Sequence, residues 1–370
     1  MPPKSRNVFP FLAMLISAGI IAGLGGMFLL LSDQLGSSTD IISNVAAQNQ
    51  KSIQTKTNKT LGSHTATVLS VAADVSGSWV ASGSYDNTVK LWNRDNAEVV
   101  RSLAHRDRVN DLVFTADGQY LLTVSSSGDI NLWSVSSTEL TTSFPGNSDR
   151  IMSVAIDADN SRFAVGSSSG AIKTWALNDT LRSSSTDTPS SKRELPRAIT
   201  LNTTGPQINT LAFHPANSNL LVSGDQAGTI RVWDIAQQRN TLTLEKSPER
   251  ILSLSINNRG YIAASSADAS IQIWNLENAQ LNQTLTDHEL VVADVAFNAD
   301  GTLLASASYD ETIKIWDWQK NEVLCTLRGH SGFVYSVAFS DTDDTLVSGG
   351  YDGTVRTWNL AAIENRECIN

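Results

Sequence analysis

An all-β fold is predicted for residues 55–361: seven four-stranded blades closed into a propeller, preceded by one N-terminal transmembrane helix. Three observations predict it. A segment ending in tryptophan recurs seven times, from SGSYDNTVKLWN at Ser82–Asn93 to SGGYDGTVRTWN at Ser348–Asn359. The tryptophans Trp92, Trp133, Trp175, Trp233, Trp274, Trp316 and Trp358 lie 41, 42, 58, 41, 42 and 42 residues apart, and a period of about 40–45 residues is that of a four-stranded blade. Ahead of the repeats, Phe9–Leu31 runs for 23 residues without a charge.

Each repeat has the grammar of short antiparallel strands. In the last, Val334–Phe339 is an apolar run, Asp341–Asp344 a turn, TLVSGG a second run, YDG a second turn and TVRTWN a third strand. Asn321–Leu327 shows the fourth, outer strand of the preceding unit. The runs are β-branched and bounded by Asp, Gly and Asn, and Asp117-Gly118 and Asp300-Gly301 are hairpin signals. An open array would expose strand edges, so closure is expected. KTNKTLGSH (Lys56–His64) aligns with EVLCTLRGH (Glu322–His330), whereas the chain after Trp358 lacks an outer strand. Thr57–Leu61 is therefore expected to complete the last blade and clasp the ring. The gap of 58 marks an insertion, residues 179–193, in blade 3; its Ser/Thr-rich composition without an aromatic anchor reads as a disordered bulge.

The span predicted at residues 9–31 is long enough, at about 1.5 Å per residue, for a hydrocarbon core of roughly 30 Å. It exceeds the apolar core of a cleaved signal peptide, and no A-x-A pattern follows. Lys4 and Arg6 precede it and Asp33 and Asp40 follow, which places residues 1–8 in the cytoplasm and the propeller across the membrane, in a periplasm or lumen. Residues 32–54 read as a flexible polar stalk and 362–370 as a tail. Gly19 and Gly23 could pair two spans into a weak homodimer, although glycines are common in spans anyway. This layout suits a bacterial design.

Of 370 residues, 41% are hydrophobic and 17% charged, with a net charge of −10; so acidic a chain is ill suited to gripping nucleic acid. The two cysteines, Cys325 and Cys368, read as ordinary thiols, with a single bridge the less favoured alternative.

Trp316-Asp317, Trp233-Asp234 and Gly329-His330, with the seven aligned tryptophans, resemble the WD40-repeat family over Lys56 to about Ala361. The resemblance implies a protein-binding propeller and a hydrogen-bonded Trp–Ser/Thr–His–Asp chain in each blade. Carried over by position, the chain is His64, Ser82, Asp86 and Trp92 in blade 1, His288, Ser306, Asp310 and Trp316 in blade 6, and His330, Ser348, Asp352 and Trp358 in blade 7. Blade 2 keeps His105, Thr123 and Trp133 but has Ser127 for Asp. Blade 3 has Asn147, Val165 and Ser169, blade 4 has Gly205, Ser223 and Ala227, and blade 5 has Lys246, Ala264 and Asp268.

Four of five histidines thus have structural places, leaving His214 alone. No catalytic residues, metal ligands or cofactor are expected, and no P-loop, G-x-S-x-G elbow or G-x-G-x-x-G after a strand occurs. The expected function is a membrane-tethered scaffold for protein partners. The alternative is an extracytoplasmic propeller acting on a small ligand through a central site. The candidate binding residues face one end of the ring: Tyr85, Leu69, Tyr309, Tyr351, Phe333 and Tyr335 form an apolar sector in blades 6, 7 and 1, and Arg108, Arg150 and Arg250 an opposite arc that steers acidic groups. The tyrosines could equally serve to pack neighbouring blades.

Overall fold

The computed structural model describes residues 58–145, 149–177, 197–201, 205–340 and 345–360. The predicted transmembrane helix at 9–31, the stalk at 32–54, Gly19 and Gly23, the insertion at 179–193 and the tail at 362–370 lie outside the described residues. Among those described, 28 strands form seven four-stranded antiparallel sheets. Blade 1 runs Val68–Ala73, Trp79–Ser84, Thr88–Asn93, Glu98–Ala104, in that spatial order. Blades 2 to 6 repeat the pattern, starting at Val109, Ile151, Ile208, Ile251 and Val292. The residues of blade 3 outside the description fall between its third strand, Ile172–Ala176, and its fourth, Ile199–Leu201. Each first strand contacts those of the blades before and after it, and blade 7 contacts blade 1, so the ring closes.

The clasp is present. Asn58–Ser63 pairs antiparallel with Thr354–Asn359, from Asn58 opposite Trp358 to Ser63 opposite Thr354. A bulge falls between Thr60 and Gly62. Glycine is required there, because a Cβ on Gly62 would meet the Trp92 ring at 2.1 Å. Leu61, 4% exposed, enters a cluster with Val68, Val71, Val80, Trp92, Val347 and Val355. The first strand of the ring therefore fills the seam between blades 7 and 1.

The core is a set of such seams. Strands alternate apolar and polar residues, and each second strand is nearly fully buried because sheets cover both its faces. At the tight turn after each second strand one residue takes a left-handed conformation: Asn87, Gly128, Gly170, Gly228, Ala269, Glu311 and Gly353, with φ between 63° and 84°. Four of the seven are glycine, as that geometry favours.

Seven blades also need a polar connection near the axis, and a recurrent short pattern supplies it. The first strands read Val68-Leu69-Ser70, Val109-Asn110-Asp111, Ile151-Met152-Ser153, Ile208-Asn209-Thr210, Ile251-Leu252-Ser253, Val292-Ala293-Asp294 and Val334-Tyr335-Ser336. The third residue of each accepts from, or donates to, its neighbour. Val71 N donates to Ser336 Oγ (3.1 Å), Leu211 N to Ser153 Oγ (3.1 Å) and Leu254 N to Thr210 Oγ1 (3.1 Å). Asp111 accepts from Ser70 Oγ at 3.0 Å and from Val154 N at 2.9 Å, joining blades 1, 2 and 3. Asp294 accepts from Ser253 Oγ at 2.6 Å and from Val337 N at 2.9 Å, joining blades 5, 6 and 7. All seven seams are bridged. The carboxyls sit deep between blades, so burial pushes Asp111 up to about 6 against these hydrogen bonds, and pushes Asp294 upward too.

Cys325, 3% exposed in the outer strand of blade 6, is disulfide-bonded. This corrects the expectation of two ordinary thiols: the buried sulfur is held in a bond rather than free. Cys368 lies outside the described residues.

Truncating the clasp tests the closure. Leu61→Ala is expected to lower unfolding stability by about 3 kcal/mol, as for other fully packed leucines, read by chemical denaturation. A loss no larger than that of a surface substitution would mean the strand is not part of the core.

Candidate functional site

Three blades carry the full four-residue chain. In blade 1, Trp92 Nε1 donates to Ser82 Oγ (2.8 Å), Ser82 lies 2.8 Å from His64 Nε2, and His64 Nδ1 lies 2.9 Å from Asp86 Oδ2. Burial depresses the His64 pKa and favours the neutral ring, so Nδ1–H donates to Asp86 and Nε2 accepts from Ser82. Blade 6 repeats the chain at 2.8, 2.7 and 2.7 Å, and blade 7 at 2.9, 2.7 and 3.1 Å. Each aspartate also caps its turn: Asp86 accepts from Thr88 N and Thr65 N. Burial alone would raise Asp86, but the bonds from Thr88, Thr65 and His64 prevail and hold it down at about 2. Asp310 and Asp352 lie well below the usual carboxylate range for the same reason. These His-Ser-Asp sets are structural: their polar atoms are spent on tryptophan and turn.

The other blades satisfy their tryptophans differently. In blade 2, His105 Nδ1 bonds Leu103 O at 3.2 Å in place of an aspartate, and Thr123 takes the Trp133 N–H at 3.0 Å. In blade 4, Asp225 takes over the turn, accepting from Ala227 N, Thr229 N and Arg231 Nη1. In blade 5 the third strand supplies the acceptor: Trp274 Nε1 donates to Gln272 Oε1 at 3.2 Å, and Gln272 Nε2 reaches Ser247 Oγ at 3.4 Å. The histidine place is filled by Ser247 rather than Lys246. Blade 3 fails: Trp175 Nε1 is buried with no partner among the described residues, because Val165 stands where a hydroxyl would. Stacking compensates in part, Phe163 lying 5.1 Å from Trp175 at 8° between planes.

The candidate binding face is built on one recurrent backbone bond. The amide of the residue after each second strand donates to a carbonyl at the start of the first strand: Tyr85 to Thr67, Ser126 to Arg108, Ser168 to Arg150, Gln226 to Gln207, Ala267 to Arg250, Tyr309 to Val291 and Tyr351 to Phe333. These fourteen positions therefore surround the axis at one end, called the top here.

The structure brings the aromatic candidates together. Tyr309 of blade 6 stacks on Phe333 of blade 7 (4.5 Å, 12°) and tilts against Tyr335 (5.2 Å), while Phe333 meets Tyr351 at 6.0 Å. Tyr309 and Tyr335 are half-buried and act as packing between blades. Tyr85, Phe333 and Tyr351 are 47%, 39% and 61% exposed and act as surface. Tyr335 is pushed up to about 12, first by burial and then by the neighbouring Tyr309, Tyr85 and Tyr351. Leu69 sits half-buried at the equivalent place in blade 1. Sequence reasoning missed Leu290, 49% exposed beside Val291; no repeat position marks it.

Arg108 belongs to this cluster, not to an opposite arc. Its guanidinium lies over the Tyr85 ring at 4.7 Å, donates from Nη1 to the Tyr85 hydroxyl, and donates from Nε to Ser126 Oγ at 2.9 Å. The two residues sit on adjacent blades, so a long side chain spans the gap. Arg150 is exposed and Arg250 half-buried at the equivalent positions of blades 3 and 5. Among the described residues, no group of three or more His, Cys, Asp or Glu is placed to hold a metal ion.

The family model described as the IFT122 first beta-propeller matches residues 43–308, and that of the WD domain, G-beta repeat, matches 321–359. The chain is similar to the "Non-functional target of rapamycin complex subunit LST8-2" of Arabidopsis thaliana, with 34% identity over 94 residues, 23% of this chain and 30% of that protein. It is similar to "Transducin beta-like protein 3" of Bos taurus, with 33% identity over 97 residues, 25% of this chain and 12% of that protein. To "Target of rapamycin complex subunit LST8" of Bos taurus it is 26% identical over 236 residues, 61% of this chain and 68% of that protein. The chain thus spans less than a third of the first two. All three come from eukaryotes and lend no support to a bacterial design.

Two measurements check the blade chemistry. Val165→Thr offers the orphan Trp175 N–H an acceptor, so it is expected to be neutral or stabilising by up to about 1 kcal/mol, whereas Val347→Thr, which has no orphan to serve, costs about 1–3 kcal/mol. Asp86, depressed in the fold, contributes stability above its unfolded value of 3.8 that is lost as pH falls through 2. Melting curves between those values should therefore flatten in Asp86→Asn.

Proposed function

The chain belongs to the WD-repeat β-propeller family described by the IFT122 first beta-propeller, and from that premise we propose that it is a protein-interaction scaffold that binds its partner on the top face of blades 6, 7 and 1. The observation that carries the reading is the exposed aromatic group Tyr85, Phe333 and Tyr351, held over a stacked base of Tyr309 and Tyr335. Rigid aromatics seated on packed neighbours lose little entropy on binding and act as hot spots. Two of the relatives are, by name, subunits of a complex. The His-Ser-Asp sets of blades 1, 6 and 7 are committed to blade structure and are not available to a partner.

The proposal extends to location. A helix at 9–31 tethers the scaffold, with residues 1–8 cytoplasmic and the propeller beyond the membrane. The support is the charge-free run and its flanking charges. The disulfide at Cys325 is in keeping with an oxidising compartment. Among the described residues no helix is long and apolar enough to cross a membrane.

Affinity purification from the membrane fraction tests both parts. Phe333→Ala with Tyr351→Ala is expected to reduce co-purified partners by roughly ten-fold, while Leu140→Glu on the outer strand of blade 2 leaves recovery unchanged. Equal recovery from both variants would refute the face. Recovery of the protein only in the soluble fraction would refute the tether.

A further inference from the structure

Resting on that reading of the top face, we propose that its occupant is an acidic peptide segment of the partner, with an apolar anchor on blades 6 and 7 and its carboxylates directed toward blades 2, 3 and 5. Four observations assign this chemistry.

The first is a local reversal of charge. The sequence carries 37 acidic residues and a net charge of −10. Yet the fourteen positions joined by the recurrent top-face bond hold three arginines and no Asp or Glu, the acids Asp107, Asp149 and Glu249 falling one residue earlier. The seven positions two residues further along the first strands, Leu69 to Tyr335, hold no acid either.

The second is availability. Arg150 and Arg250 make no side-chain hydrogen bond or ion pair among the described residues. Asp149 and Glu249 precede them in the chain, yet among the described residues no ion pair joins either acid to its arginine, and the carboxyls of Asp111 and Asp294 are occupied between blades. A guanidinium in that state binds a carboxylate with two parallel bonds.

The third is the supply of neutral donors. Tyr309 lies 5.2 Å from Tyr335 and Tyr351 lies 6.0 Å from Phe333 between ring centroids, so phenol hydroxyls gather on this face, and burial pushes the Tyr335 hydroxyl up to about 12. Protonated phenols beside a guanidinium stabilise an anion.

The fourth is what the face withholds from a cation. Aromatic faces attract cations when open. Here Arg108 already covers Tyr85, and Tyr309 and Phe333 turn their faces on each other. The tetrad carboxylates are committed to histidines and turns. Glu289 and Glu311, both exposed, stand on the rim of blade 6. They repel an acidic tail from that side and set the direction of the segment.

Fluorescence polarisation of the full-length chain tests this with three synthetic peptides that share a central Phe-Leu anchor and differ in flanks: Asp/Glu, Ser/Gly or Lys/Arg. The acidic peptide is expected to bind roughly ten-fold tighter than the others, with affinity falling as salt rises. Arg150→Glu with Arg250→Glu should abolish the preference without shifting the melting temperature, and Phe333→Ala should weaken all peptides alike. Tightest binding of the basic peptide, or equal binding of all three, overturns the acidic assignment but leaves the interaction face standing if Phe333→Ala weakens it. Failure of every peptide to bind at about 1 mM overturns the assignment as well, and the co-purification experiment then decides the face by itself.

Discussion

The inner strands turn backbone N–H groups toward neighbouring blades, and each such group must find an acceptor in a place water reaches poorly. The rest of the propeller depends on how this is met. A serine or threonine hydroxyl, or one oxygen of Asp111 or Asp294, accepts such an N–H across six of the seams, and Ser70 donates to Asp111 across the seventh. Apolar packing between blades is non-directional and would tolerate a slipped or splayed ring. The belt fixes the approach of each blade, and with it the spacing of the fourteen top-face positions. The two aspartates matter most, since each engages three blades where a hydroxyl engages two. Their raised pKa records the cost of holding a carboxyl so deep.

The repeat count, blade boundaries, clasp and three complete tetrads were legible in the sequence, because each is written as a residue type at fixed spacing. Gly329-His330, Asp352 and Trp358 can only satisfy one another if the intervening strands are those observed. The axial belt was equally written, as Val or Ile followed two places on by Ser, Asp or Thr in all seven blades. It was not seen because a small polar residue in a strand looks like turn chemistry until its neighbour in the next blade is known. Substitutions at degenerate blades were illegible for a different reason. Gln272 and Asp225 do the work of missing residues from other positions, and spacing cannot announce a replacement that moves.

At the candidate site, sequence position put Tyr85, Tyr309, Phe333, Tyr335 and Tyr351 on one face, which is how they lie. It could not divide them into packing and presenting residues, because that depends on which ring reaches its neighbour first. Arg108 shows the same limit. Its backbone sits with Arg150 and Arg250 by symmetry, yet its side chain crosses to blade 1. Long side chains on a small ring report their blade poorly.

The clasp at Asn58–Ser63 sets an order in time. A ribosome makes this strand before any blade, yet its ladder partner, Thr354–Asn359, emerges only after blades 1 to 6. Through most of synthesis the segment is an unmatched edge bearing Leu61, the kind of surface on which nascent chains aggregate. Circularity is thus bought with a long wait. A cell making this protein has to shield one short strand until blade 7 arrives.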